Sequence, residues 1–137
     1  MTEDARAVRR RYHEAWNNGD TDALDGIMSL GVVNHSPLPG QPDGVAGFKQ
    51  AIVSMRSGVP DLTITIDSSV LDGDLVSTRW TGSGTNTGEL MGVPATGRRI
   101  SVSGIDICRV SDGRIVEYWQ ELDTLSMLQQ LGVIPTA

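Results

Sequence analysis

The sequence has little of what metalloproteins, disulfide-rich proteins and nucleotide-binding enzymes depend on. It has one cysteine, Cys108, and two histidines among its 137 residues. A single cysteine excludes an internal disulfide framework, and without a Cys/His cluster there is no zinc-type ligand spacing. There is also no Walker loop, and no Gly-x-Gly-x-x-Gly stands between a strand and a helix. We therefore expect neither a metal nor an organic cofactor.

Long apolar runs and excess positive charge are missing as well. No apolar run approaches the length that spans a bilayer, and acids near the start are unlike a signal peptide. These features predict a cytoplasmic protein without membrane contacts. The formal net charge is −6, so a phosphate backbone would be repelled, and the basic run Arg9–Arg11 is too short to reverse this. The length predicts one domain spanning residues 1–137.

The patterns that are present begin with helices. Apolar residues recur at helical spacing over residues 3–18, and Gly19 follows as a typical C-terminal stop. A short second helix follows, and VVNHS (32–36) indicates a brief strand. The dense Pro/Gly stretch after it is a loop, from which Asp43 is expected to cap a third helix that ends near Gly58.

From Leu62 onward the apolar period changes to two, which predicts a meander of four antiparallel strands and a closing helical turn. Helices that precede a run of strands indicate an α+β fold. We expect three helices to cover the concave face of a curved, mainly antiparallel sheet of four to six strands. Such a sheet forms a cone, and the interior of a cone provides a pocket for a small molecule.

The segment SGIDICRV places a carboxylate in the middle of a strand. Alternation puts Asp106 and Cys108 on the more apolar face of this strand, and no basic residue shares that face. Tyr118 and Gln120 are the natural inward pair of the next strand. A carboxylate on an apolar wall either accepts structural hydrogen bonds or serves as a general base, because burial disfavours the charged form of the acid.

Other side chains complete the candidate pocket. His35 lies at a strand end beside the Pro-rich loop, where it is either a surface residue or a catalytic one. Cys108 is expected to be a small buried hydrophobe, and His13 to be solvated. Arg79 and Arg109 fall on outward faces. The residues whose aromatic rings could line a cavity for a flat ligand are Trp16, Trp80 and Phe48.

Several stretches together resemble the SnoaL-like polyketide cyclases of the nuclear transport factor 2 superfamily. They are RRYHEAWNNGDTDAL, VVNHSP, GELMGVPATGRRISVSGIDICRVSDGRIVEYW and MLQQLG. The resemblance runs from about Val8 to Pro135. It implies the cone fold, a homo-oligomer (dimer or tetramer) packed through the sheet, and an intramolecular aldol closure of an aromatic polyketide ester without metal or cofactor.

The sequence departs from the family pattern at the residues that matter most. The resemblance places the family's catalytic aspartate at Gln120, and Tyr118 and Asn86 stand where histidines are common. Asp106 occupies a polar pocket position. We therefore assign catalysis to Asp106, His35 and Tyr118, and substrate binding to a wider set: Gln120, Asn86, Trp16, Trp80, Phe48 and Met91.

Three functions remain open at this stage. The first is a cyclase, or a related lyase or isomerase, that acts on a keto-ester-like molecule. The second is a non-catalytic ligand-binding or dimerisation module, which Gln120 favours and Asp106 opposes. The third is an epoxide hydrolase or a polyketide hydroxylase. Epoxide hydrolysis ranks lower because it requires an Asp–Arg–Asp arrangement, and the arginines nearest the predicted site, Arg79 and Arg109, point outward.

Overall fold

The computed structural model describes residues 4–136. The helices are α1 (Ala5–Asn18), α2 (Leu24–Ile27), α3 (Val45–Gly58) and α4 (Thr124–Gln130). The strands are β1 (Met28–Asn34), β2 (Thr63–Asp72), β3 (Leu75–Thr85), β4 (Arg99–Ser111) and β5 (Arg114–Leu122). This arrangement confirms the α+β fold with three helices ahead of the meander.

The five strands form one sheet in the order β1-β5-β4-β3-β2. The β2–β5 meander is antiparallel, as the alternation predicted, whereas β1 joins the far edge parallel to β5. The strand predicted at 32–36 therefore begins earlier, at Met28, and ends at Asn34. Sequence alternation alone missed the parallel partner because the pairing of Asn34 with Tyr118 joins segments far apart in the chain.

Local capping explains where the helices begin and end. The Asp4 carboxylate accepts a hydrogen bond from the Ala7 amide, and Gly19 ends α1 in the left-handed conformation with φ 66°. Asp43 does not cap α3, because Gly44 is the capping residue and provides no side-chain bond. The glycine adopts φ 70°, a conformation that a residue with a Cβ atom rarely takes. Glu3, the first residue of the helix predicted over residues 3–18, lies outside the described residues.

The predicted faces of the last two strands are largely correct. Alternate residues of β4 from Ile100 to Val110 are buried, and Tyr118 of β5 is buried beside them. A bulge between Arg109 and Val110 shifts the start of β5, so that Ile115 is buried, whereas alternation from Tyr118 and Gln120 would place Val116 inward. The outward face of the sheet leaves Ile105 and Ile107 exposed. Packing of a homo-oligomer through this face stays a prediction, as does a cytoplasmic location.

Candidate active site

A cavity lies between the concave face of the sheet and helices α1 and α3. Its wall is mostly apolar, and its free volume is about 100 Å³. A cavity of roughly 150 Å³ holds benzene, so this volume corresponds to about one aromatic ring. The predicted residues that line it are Trp16, Phe48, Trp80, Asp106, Tyr118 and Gln120.

Trp80 owes its place in this wall to a glycine on the neighbouring strand. Trp80 pairs with Gly104 across β3 and β4, and its indole lies over the glycine. A Cβ atom at Gly104 would lie 2.8 Å from Cε2 of Trp80 and 3.0 Å from the backbone oxygen of Glu121. Because the crowding involves backbone as well as the ring, only glycine lets the indole pack flat here.

Asp106 sits at the centre of the polar part of the cavity and is only 1% exposed. Its partner is Arg9 of α1, which donates from Nε to Oδ1 at 3.0 Å and from Nη2 to Oδ2 at 2.8 Å. This bidentate geometry is among the strongest ion-pair arrangements in proteins. Asp106 is therefore a buried anion with a buried cation beside it, not the unpaired carboxylate that its strand suggested.

Arg9 is the partner of Asp106 that sequence reasoning missed. It was treated as part of a basic run, yet it occupies the apolar stripe of α1 together with Ala5, Val8 and Tyr12. An arginine at that helical phase must enter the core, and this was the signal that could have found it. Burial by itself would lower the pKa of Arg9, but the charge and hydrogen bonds of Asp106 outweigh burial and raise the pKa of Arg9.

Tyr118 and Gln120 stand beside the ion pair on β5. The Tyr118 hydroxyl donates to Oε1 of Gln120 at 2.6 Å and lies 3.4 Å from Oδ2 of Asp106. Gln120 pairs directly with Asp106 across the two strands. Burial raises the pKa of Tyr118 well above its usual value of 10.0, so the phenol is neutral and can donate a hydrogen bond.

The prediction that Cys108 is a small buried hydrophobe is confirmed, because its side chain is completely buried. Burial raises the pKa of the Cys108 thiol, and the neighbouring Asp106 charge raises the pKa further. The thiol is therefore no thiolate nucleophile. Arg79 and Arg109 lie outside the cavity, as predicted, and both form exposed ion pairs.

The structure places three predicted site residues elsewhere. His35 contacts Glu117 at 2.8 Å on the outer face and stacks on Trp119 with 4.7 Å between ring centroids. Asn86 is buried outside the cavity, and Met91 is half exposed in the loop beyond it. None of these three side chains lines this cavity, because a strand end and a long connection obey no simple alternation.

Asn86 has a different function, which its contacts make plain. Its amide donates to the Gly58 and Gly88 carbonyls at 3.2 and 2.7 Å, and its Oδ1 accepts two bonds from Thr96 at 2.9 and 2.8 Å. One side chain thus ties the end of α3 to both halves of the β3–β4 connection. Asn86 therefore stabilises the conformation of this loop.

His13 was expected to be solvated but lines the cavity instead. The Asn17 amide is fixed by its two bonds with the backbone of Ile64, so its Nδ2 donates to Nε2 of His13 at 3.2 Å. In the neutral ring the proton is then on Nδ1. Burial first, and the Arg9 charge second, lower the pKa of His13, which keeps the ring neutral.

The arrangement provides one carboxylate that can transfer a proton in an apolar setting. Among the residues that line the cavity, Asp106 is the one carboxylate, so the Asp–Arg–Asp set of an epoxide hydrolase has no second acid. Within residues 4–136 no group of three His, Cys, Asp or Glu side chains could hold a metal ion. No helix in this part of the chain has the length and apolar character needed to cross a membrane.

A cone of helices on a curved sheet, with a mostly apolar cavity around one buried acid, defines a small-molecule-binding α+β protein. The profile of the SnoaL-like polyketide cyclases matches residues 6–131. The chain belongs to this family, and the family implies a small-molecule substrate.

The relatives include proteins assigned to different reactions. The chain is 30% identical to the aklanonic acid methyl ester cyclase DnrD of Streptomyces peucetius, over 90% of this chain and 87% of that one. IdmH from Streptomyces antibioticus, a proposed polyketide cyclase, is 36% identical with a TM-score of 0.83, over 95% and 99% of the two chains. AclR from Streptomyces galilaeus, a proposed hydroxylase, is 28% identical with a TM-score of 0.85, over 97% and 83%.

Proposed function

We propose that the protein closes a ring in a polyketide-like keto ester by an intramolecular aldol reaction that needs no cofactor. The observation that carries the proposal is Asp106, the one carboxylate on the wall of a mostly apolar cavity. Membership of a family of polyketide cyclases and the similarity to a methyl ester cyclase support the choice of substrate class.

In the proposed reaction Asp106 removes a proton from a carbon that lies between the ester and a conjugated ketone. The resulting enolate carbon attacks a second carbonyl carbon of the same molecule, forming the new C–C bond. The alkoxide left on that carbonyl oxygen then takes the proton back from Asp106, so the carboxylate is regenerated. The Tyr118 hydroxyl donates its one proton to Oε1 of Gln120 at 2.6 Å, and the N–H groups of the Gln120 amide orient the substrate carbonyls.

A polycyclic substrate is larger than the free volume of about 100 Å³. Leu38 and Gln41 line the cavity, and both lie in the Pro-rich loop between β1 and α3. We expect these two side chains to move outward when a multi-ring ligand enters. His35 lies outside the cavity and takes no part in this proposal.

The test is turnover of a tricyclic anthraquinone-type keto ester, followed by absorbance. We expect turnover by wild type and a loss of about 10²- to 10⁴-fold in Asp106→Asn, because the amide cannot accept the proton. Asp74→Asn is the matched control, since Asp74 forms an exposed ion pair, and it should leave turnover unchanged.

Gln120→Asp distinguishes the alternatives. This variant restores an acid at the position where the family resemblance places the catalytic aspartate. Turnover by Gln120→Asp but not by wild type would mean that the native protein has lost or changed the family's reaction. If neither turns over, the substrate class is wrong and the protein is better described as a ligand-binding module.

A further inference from the structure

One nitrogen of the Arg9 guanidinium group, Nη1, forms no hydrogen bond with the residues that the structure describes. Nε and Nη2 hold Asp106, which leaves Nη1 on the side of the group that faces away from the carboxylate. Nη1 is buried, and no atom of residues 4–136 accepts a hydrogen bond from it. Cζ of Arg9 lies over the Tyr12 ring, 5.0 Å from its centroid, which is a cation–π contact.

Such a donor is unusual because a buried N–H group without an acceptor is unfavourable. Arg9 also lines the cavity, beside Asp106 and Tyr118. A ligand in the cavity can therefore supply the missing acceptor. The best acceptor is an oxygen, since a planar N–H donor of this kind pairs best with carbonyl, enolate or carboxylate oxygens.

The charges in the cavity restrict which oxygen is preferred. Arg9 and Asp106 are one cation and one anion, whereas Tyr12 and Tyr118 are neutral because burial raises the pKa of each phenol. His13 is neutral because burial and Arg9 lower its pKa. When Asp106 takes a proton from a neutral substrate, the anion moves from the carboxylate to the substrate. The buried cation keeps a counter-ion only if the new anion lies against Arg9.

We propose that Arg9 is a catalytic residue whose Nη1 binds the enolate oxygen of the substrate while its Nε and Nη2 hold Asp106. This inference rests on the proposed function and adds the group that stabilises the anion. It also specifies the ligand: a flat, conjugated molecule with an oxygen next to the acidic carbon. The number of buried charges then stays the same before and after proton transfer, which keeps the barrier low.

The experiment uses 4-nitrophenol, because its phenolate is a flat conjugated oxyanion with a visible absorbance band. Asp106→Asn imitates the protonated carboxyl group, so Arg9 has no protein anion in this variant. We expect Asp106→Asn to bind the phenolate form about tenfold more tightly than wild type does.

Removal of the cation in the same background tests Arg9 directly. Arg9→Met/Asp106→Asn should lose the phenolate preference and bind the neutral phenol instead, while Arg109→Met/Asp106→Asn should keep it, because Arg109 lies on the outer face. The inference is overturned if the phenolate band is the same with and without Arg9. It is also overturned if Asp106→Asn is unfolded both without and with added phenolate. That result would mean that Arg9 does not accept the phenolate as a counter-ion in place of Asp106.

The phenol assay needs no turnover, so its outcome is separate from that of the aldol proposal. Turnover of the keto ester together with phenolate binding that ignores Arg9 would leave the aldol proposal intact and remove this inference. Phenolate binding that depends on Arg9 without any turnover would support this inference and overturn the assigned substrate class.

Discussion

Strand β4 carries an ion pair on each of its faces, and the two differ in their exposure to water. On the inner face Asp106 and Arg9 form one bidentate pair whose side chains are 1% and 5% exposed. On the outer face Arg109 bonds both Glu117 and Asp74, and its side chain is 37% exposed. The residue types are similar, whereas water reaches only the outer group.

The difference shows which pair can serve a function. Exposed ion pairs contribute about 0–1 kcal/mol because water and salt screen them. A buried pair loses the hydration of two ions, so replacing both by apolar residues is often neutral or stabilising. The inner pair is therefore weak evidence for stability, and its place in an apolar cavity supports the proposed catalytic role.

The largest expected contrast comes from removing the arginine of each pair. Arg9→Met leaves Asp106 as an uncompensated buried anion and should lower the free energy of unfolding by about 3–5 kcal/mol. Arg109→Met removes an exposed partner and should lower it by less than about 1 kcal/mol. Urea unfolding of both variants measures this, and equal losses would show that the inner pair is as well solvated as the outer one.

A buried polar residue without charge should give an intermediate effect. Asn86→Ala leaves the Gly58 and Gly88 carbonyls and the Thr96 donors without their partner. We expect a loss of about 1–3 kcal/mol in urea unfolding. The folded fraction of Asn86→Ala should bind a cavity ligand with the same affinity as wild type. Asn18→Ala, at an exposed position, is the control. A loss of ligand affinity in Asn86→Ala but not in Asn18→Ala would indicate that Asn86 contacts the ligand.

His13, on the inner face, should make the stability of the fold depend on pH. Its pKa is lowered from 6.5 in the folded state, so the unfolded chain binds more protons as the pH falls through that value. The contribution of His13 to stability is therefore present above pH 6.5 and is lost below it. His13→Gln should lose less stability than wild type when acidified through this window, as measured by the urea midpoint. An identical pH profile would contradict the neutral buried ring.

The smallest effect belongs to the outer face. His35→Ala removes the stack on Trp119 and the bond to Glu117, both in contact with solvent. We expect less than about 1 kcal/mol of destabilisation and no change in keto-ester turnover beyond about twofold. Turnover reduced tenfold or more would mean that His35 reaches the substrate after all.

Regular alternation made part of the strand side of the cavity predictable. Asp106, Tyr118 and Gln120 follow the period of their strands, so their inward orientation was available from the sequence. The partner of Asp106 was harder to find, because Arg9 is 97 residues away and belongs to a different element. His35 and Met91 follow irregular backbone, where no period relates sequence to orientation, and Met91 adopts φ 52°.

The most direct test of the central claim is the double variant Arg9→Met/Asp106→Leu, measured for both unfolding free energy and keto-ester turnover. Two apolar side chains of similar volume remove both buried charges without leaving either one unpaired. If the pair exists for catalysis, the variant is as stable as wild type or more so, and it has no turnover. If the pair exists to hold the fold, the variant loses several kcal/mol, and that result would contradict the account.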